Sequence, residues 1–327
     1  MVITRTPFHI NFLDGGSDIP EFYRQHGGAV LSASIDKYMF LSMCPNFFQD
    51  GYSLKYTETE YCKNIDEIHH PATKEIFKHY KIKDVNFTAI SDIPIENGMK
   101  CSSIFTVGLI NLCNAYNRTH ITQEEIANQA CKFKMNILNK KIGKQNQYSS
   151  TFGGLNYFSF NKDDTVTIKR LHIATDIFKT MQENLVLFYS GKKIEANTTR
   201  DVDTNFKNQT AVNVVKLMTA LANKLQNELM HGNGDALGEI MKEEWRLKKE
   251  ILTSPVDPEI AALHEKGLYS GAVGGKHIEL GDRVYLLFYV KKQNHTRFRK
   301  AFKDMHEMPF RIDRKGTTLI YPERDRI

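Results

Sequence analysis

The sequence predicts an α+β chain of two domains, and three observations lead there. At 327 residues the chain is long for one minimal domain and suits two, each with a core of its own. Strand-like stretches stand beside runs of helix-like stretches with no strict β-α-β alternation, which argues against a doubly wound sheet. The rhythm also changes just before the apolar run Asn184–Ser190, so the expected domains are residues 1–180 and 181–327.

Taken in order, Val2 to Phe12 alternates as a strand, and LDGGSD from Leu13 is a tight turn whose two glycines reach backbone angles closed to other residues. A short helix follows around Pro20 to His26, then a β-rich run from Ala29 to Cys44. Tyr52 to Tyr61 reads as a strand pair, Ala72 to Tyr80 as a helix and Val85 to Ile93 as a strand. Phe105, Val107, Ile110, Leu112, Cys113 and Tyr116 give a helix with a broad apolar face. Thr122 with Glu125 has the spacing of a capping box and starts the next one. The polar, glycine-broken stretch from Lys140 to Gly154 precedes a strand at Leu155 to Phe160. In the second half Val214, Met218, Leu221 and Leu225 recur at helical spacing, Ala236 to Leu252 forms another helix, and a third runs from Pro258 to Tyr269. SGAVGGKHIELGDR precedes the strand Val284 to Val290, followed by a basic helix near Thr296 to Met305 and a closing strand pair within Phe310 to Tyr321.

Composition narrows the function classes. The net charge of +6 is modest and its lysines and arginines are scattered among acids, so the chain shows no basic stripe of a nucleic-acid binder. Five cysteines without C-x-x-C or zinc-like spacing suggest reduced thiols in a cytoplasm. No run of eighteen apolar residues is present, so no membrane span is expected.

The stretch with the most chemistry in it is Ser91 to Gly108, an extended segment that enters a glycine-bearing turn and then a helix near Ser102. That layout suits a phosphate-binding loop, in which backbone N–H groups at a helix start face an anion. Here Gly98 is the one glycine of the turn, Glu96 adds a negative charge, and Lys100 and Cys101 add bulk at the helix entry.

Read together, DGGSD, HGGAVLSASIDKY, DIP before Ser102-Ser103, GKQNQY with FGGLNY, LFYSG and GAVGGK resemble, in that order, the GHMP sugar kinases, and most nearly the D-glycero-D-manno-heptose 7-phosphate kinases. The resemblance runs from Arg5 to about Val290. It implies a two-domain α+β fold with a ligand cleft between the domains, ATP and Mg²⁺ as co-substrates, and phosphate passed to a sugar hydroxyl of a phosphorylated sugar.

The same resemblance assigns roles to residues. Gly98, Met99, Lys100, Cys101, Ser102 and Ser103 occupy the phosphate loop, with Glu96 and Lys100 where the family has glycines. Ser102 stands at a metal or phosphate position, and Lys134 at the family's magnesium-binding glutamate. Asn146 replaces the aspartate taken as base, while Lys144 is retained. Asp18, Gly15, Gly16 and His9 fall on the sugar side, His9 replacing an arginine and Asp14 a glycine; Gly274 and Gly275 keep part of the last glycine-rich loop.

Plainer roles exist for several of these. Ser102 serves equally as a helix N-cap, the glycines as turn residues, Asp18 as the acceptor of an Asx-turn, and Lys248 with Lys249 as a solvated face. The departures gather in the functional loops while scaffold stretches stay close to the family pattern. This favours a sugar-kinase scaffold in which phosphotransfer is lost or severely impaired. A working heptose 7-phosphate kinase helped by Lys100 or Lys144, and a non-catalytic partner of a paralogous kinase, are the alternatives, and the sequence leaves the oligomeric state open.

Overall fold

A computed structural model describes residues 1–47, 49–94, 103–137, 142–193 and 206–321. The chain divides into two compact units, each assembled from separated segments: 1–9, 34–154 and 313–327 in the first, 10–33 and 155–312 in the second.

In the first unit a sheet runs in the order β11-β1-β2-β5-β3-β4. Its strands are drawn from β1 (Val2–Leu13), β2 (Gly28–Pro45), β3 (Tyr52–Lys55), β4 (Thr59–Cys62), β5 (Val85–Ser91) and β11 (Thr318–Tyr321). Strand β5 lies antiparallel to the second half of β2, from Met39 opposite Ser91 to Pro45 opposite Val85. Helices α2 (Pro71–Tyr80), α3 (Ser103–Tyr116), α4 (Gln123–Lys132) and α5 (Gln145–Thr151) belong to this unit. Helix α3 carries no charged side chain and is buried along most of its length. Gly108 lets it approach the sheet, because a Cβ there would lie 2.8 Å from Thr6 Oγ1 and 3.0 Å from Leu41 Cδ1. The capping box at α4 forms as expected: Glu125 N–H donates to Thr122 Oγ1 at 3.2 Å, and Thr122 N–H donates to Glu125 Oε2 at 2.8 Å.

In the second unit the first half of β2 pairs with β6 (Leu155–Phe160), and β6 pairs with β7 (Val166–Arg170). A separate antiparallel sheet has the order β8-β10-β9, with β8 at Leu185–Lys193, β9 at Ala272–Leu280 and β10 at Arg283–Val290. Around these are α1 (Pro20–His26), α6 (Thr175–Asn184), α7 (Gln209–Met230), α8 (Ala236–Glu250), α9 (Pro258–Tyr269) and α10 (His295–Ala301). Two apolar clusters hold the unit. One joins Phe188, Leu286 and Phe288 of the sheet to Phe298 and Phe302, and the other joins Phe22 to Val215 and Met218 of α7 and Leu247 of α8.

Three segments differ from the sequence reading. AVGGKHIEL is a strand, β9, rather than a loop. The stretch before Gly153 contains the short helix α5. Of the expected closing strand pair only β11 forms, because the Asp313 carboxylate accepts from the N–H groups of Lys315 and Gly316 at 2.8 and 2.9 Å and folds that segment into a turn.

Candidate functional site

The expected phosphate-loop residues Glu96, Gly98, Met99, Lys100, Cys101 and Ser102 lie outside the described residues. Ser103 opens α3 and is buried. Its Oγ accepts a 2.9 Å hydrogen bond from Lys134 Nζ. Lys134 sits in a π-helical turn, Phe133–Ile137, that continues α4, and only 5% of it is exposed. π-Helical turns of this kind are rare and concentrate at functional sites. A buried ammonium is tolerated only with acceptors around it, and the Ser103 hydroxyl supplies one.

This geometry decides how the position treats a divalent cation. Mg²⁺ is held by carboxylate, phosphate and water oxygens at short range. At Lys134 the buried group is an ammonium that donates a proton to Ser103, so these two residues do not fit a magnesium ion. Among the described residues no group of three or more His, Cys, Asp or Glu side chains is arranged to hold a metal.

Asn146 is the second residue of α5, and Lys144 is the N-cap of that helix without capping it through its side chain. Asn146 Oδ1 lies 3.1 Å from His9 Nε2, and His9 Nδ1 lies 3.1 Å from Ser150 Oγ. The Ser150 hydroxyl also donates to the Asn146 carbonyl at 2.9 Å, closing a ring that ties the end of the first unit's β1 segment to α5. The structure thus brings His9 and Asn146 together, residues 137 positions apart. The contacts described at this junction are between the His9 ring, the Asn146 amide and the Ser150 hydroxyl, and an amide neither carries negative charge nor takes up a proton near neutral pH.

In the second unit the turn after β1 holds Asp14, Gly15, Gly16, Ser17 and Asp18. Gly16 has φ of 84° and its carbonyl accepts from Ile19 N–H at 3.2 Å, so the turn itself demands glycine there. Asp18 is buried. Gly274 and Gly275 lie within β9, and each has a packing reason for its identity. A Cβ at Gly274 would meet the Gly238 carbonyl of α8 at 2.0 Å, and one at Gly275 would meet the Phe288 ring at 2.4 Å.

Sequence reasoning missed a buried charge cluster beside this turn. Lys276 of β9, 1% exposed, donates to Glu244 Oε1 at 2.9 Å, to Asp14 Oδ1 at 2.9 Å and to the Phe12 carbonyl at 3.4 Å. Lys248, one turn beyond Glu244 on α8, donates to the same Asp14 oxygen at 2.8 Å. Burial pushes the Asp14 carboxyl toward neutrality, but the Lys248 and Lys276 ammonium groups outweigh it and hold its pKa well below the usual carboxylate range. Glu244 is driven the other way: its burial raises the pKa more than Lys276 lowers it, and the neighbouring Asp14 charge adds to the rise. Little in the sequence signals this cluster beyond the retained Lys276, because Asp14 lies 234 positions from Lys248.

An open cavity of about 470 Å³ in this unit, lined by Gln182, Leu185, Lys292, His295, Arg299 and Phe310 among others, contains none of the expected site residues. No helix among the described residues is long and apolar enough to cross a membrane. The described cysteines, Cys44, Cys62, Cys113 and Cys131, form no disulfide.

Comparison with known proteins agrees with this architecture. Residues 66–154 match the family model described as the GHMP kinases N terminal domain. A D-glycero-alpha-D-manno-heptose 7-phosphate kinase of Campylobacter jejuni is 25% identical over 312 residues, covering 89% of this chain and 91% of that protein. The crystal structure of a D-glycero-D-manno-heptose 1-phosphate kinase from Bacteroides thetaiotaomicron superposes with a TM-score of 0.78 at 20% identity, covering 99% of this chain and 100% of that one. A mevalonate kinase from Methanococcus jannaschii gives 0.69 at 16% identity over 95% and 98% of the two chains. At these identities the structural likenesses show the fold, and the α+β class read from the sequence is the class observed.

Proposed function

For a chain that carries a GHMP kinase N-terminal domain on a scaffold like that of heptose phosphate kinases, we propose a sugar-phosphate-binding protein with little or no phosphoryl transfer. The ligand class is a heptose 7-phosphate or a close relative, in keeping with the activity for which the Campylobacter jejuni relative is named.

One observation carries the second half of this reading: the buried Lys134 ammonium, hydrogen-bonded to Ser103 at the head of α3, where the resemblance expects the carboxylate that holds magnesium. Two unit charges about 4 Å apart interact by about 4 kcal/mol at an effective dielectric near 20. Exchanging a carboxylate for an ammonium turns that interaction from attraction of Mg²⁺ into repulsion. Asn146 supports the same conclusion, since its amide oxygen faces His9 and offers no base to a sugar hydroxyl. Loss of a positioned base lowers a rate by about 10²- to 10⁴-fold. Asp18, buried in the turn after β1, is the acceptor this reading assigns to a sugar hydroxyl, with Gly15 and Gly16 shaping the backbone beside it.

Calorimetric titration separates the two halves of the proposal. D-glycero-D-manno-heptose 7-phosphate is expected to bind measurably in the absence of nucleotide, and ATP to bind no more tightly with Mg²⁺ than without it. Tight, strictly magnesium-dependent ATP binding would restore the reading of a working kinase. Absence of any sugar-phosphate binding would remove the ligand assignment.

A further inference from the structure

The charge cluster of the second unit has more structure than an ion pair needs. Lys276 directs its three protons at three acceptors, Glu244 Oε1, Asp14 Oδ1 and the Phe12 carbonyl, and is thereby fully used. Lys248 is not. Asp14 is its one hydrogen-bond partner among the described residues, its side chain keeps 13% of its surface, and two of its three N–H donors remain for something else. Asp14 keeps 28% of its side-chain surface beside it. Glu244 is fully buried; among the described residues its second oxygen, Oε2, meets no N–H donor, and the Asp14 carboxyl lies within hydrogen-bonding reach of Glu244. A buried carboxylate oxygen without a donor is unfavourable, and a proton on it removes the charge.

Protonation of Glu244 changes the sign of the cluster. With Glu244 neutral, two ammonium groups face one carboxylate, and the cluster carries a net positive charge whose more accessible ammonium is Lys248, beside the still more exposed Asp14 carboxylate. With Glu244 ionised, the charges cancel. We propose that Lys248 is a phosphomonoester-binding residue at the turn after β1, and that Glu244 takes up a proton from solvent when the phosphate binds. Lysine suits this role as a compact point charge with several donors. The proposal deepens the sugar-phosphate reading and rests on it for the identity of the ligand.

The charged surroundings of Glu244 are Lys276 from β9, Asp14 from the end of β1 and Lys248 from its own helix. Glu279 of β9 acts on Lys248. The imidazoles of His264 on α9 and His277 on β9 lie against Trp245, the next residue of α8. Helix α7 meets α8 with aliphatic side chains, Val212, Val215 and Met218, packed with Leu247 and Ile251.

The test is titration of the full chain with D-glycero-D-manno-heptose 7-phosphate, with the dephosphorylated heptose and with inorganic phosphate. Runs at several pH values, each in two buffers of different ionisation enthalpy, report proton uptake. Expected are tighter binding of the phosphorylated sugar than of the free sugar, net proton uptake, and affinity that falls as pH rises through the neutral range. Lys248→Met should weaken the phosphorylated sugar by tenfold or more while Lys248→Arg retains most of the affinity, and an unchanged thermal melt separates this from misfolding. Glu244→Gln should bind but lose the extra proton uptake; the ligand's own ionisation, near pH 6, is common to both proteins. Heptose 7-phosphate binding that is indifferent to Lys248→Met overturns the inference and leaves the sugar-phosphate reading standing. A pH profile unchanged by Glu244→Gln also overturns it. Inorganic phosphate binding that depends on Lys248, with no preference for the heptose, supports the inference and overturns the ligand assignment instead. Binding of neither phosphate overturns both.

Discussion

Among the described residues, Lys276 and Lys134 are almost completely buried, one in each unit, and their hydrogen bonds reach different kinds of acceptor. Lys276 meets two acidic side chains and a carbonyl, so its charge is answered by charge. Lys134 hydrogen-bonds the neutral Ser103 hydroxyl at the start of a helix, at a position where the family resemblance expects a carboxylate. The same contrast separates Asp14, held ionised by two ammonium groups, from Asn146, an amide linked to His9. Asp14, which stands where the resemblance has a glycine, brings a carboxylate to the turn after β1, whereas Lys134 and Asn146 stand where the resemblance has carboxylates.

The largest expected effect probes the altered side of that contrast. Restoring the family residues together, as Glu96→Gly, Lys100→Gly, Lys134→Glu and Asn146→Asp, is expected to raise ATP-dependent phosphorylation of heptose 7-phosphate by about 10²- to 10⁴-fold. A coupled ADP assay measures it, and an unchanged rate would place the defect elsewhere. Next in size is Lys276→Met, which strands Asp14 and Glu244 in the interior. Urea unfolding should show a loss of about 3–5 kcal/mol, and adding Glu244→Leu should return a large part of it. Equal stability of Lys276→Met and the parent would mean that the cluster is not the buried network described.

A smaller effect is a pH slope. The folded-state pKa of Glu244 is raised from its ordinary value to about 7, so its contribution is fully present at acid pH below the unfolded value and is lost as pH rises through about 7. Asp14, with a lowered pKa, works in the opposite direction and weakens the fold only as acid protonates it. Urea midpoints between pH 5 and 8 should therefore fall with rising pH, by at most about 1.4 kcal/mol per unit from this group, and Glu244→Gln should flatten the slope. The smallest effect is the cap of α4. Thr122→Ala removes the acceptor for Glu125 N–H and should cost about 1 kcal/mol, read by the same titration, without altering ligand binding.

The sequence made the local features legible. The capping box at Thr122 and Glu125, the glycine turn after β1 and the amphipathic pattern of α7 are all short-range patterns, and each appears in the structure. What escaped it was non-local or unusually polar. Gly274 and Gly275 read as loop glycines, whereas α8 and Phe288 press so closely on β9 that a side chain has no room. Helix α5 is rich in Gln, Ser and Thr and looked like a loop, yet its Ser150 and Thr151 hydroxyls bond back to the carbonyls of Asn146 and Gln147 within the helix. Lys248, next to Lys249, looked like part of a solvated face; its partner Asp14 is 234 positions away, a pairing that no local pattern encodes. Glu244 gave no sign of itself because its burial is created by strand β9 and the end of β1 rather than by its neighbours in sequence.

The central claim is that this scaffold keeps a sugar-phosphate site while phosphoryl transfer is lost or nearly so. Its most direct test is ADP release by the full chain with saturating ATP, Mg²⁺ and D-glycero-D-manno-heptose 7-phosphate, with the sugar product followed in parallel. No product above the rate without protein is the expected result, and turnover of about 1 to 100 per second, ordinary for kinases, would contradict it.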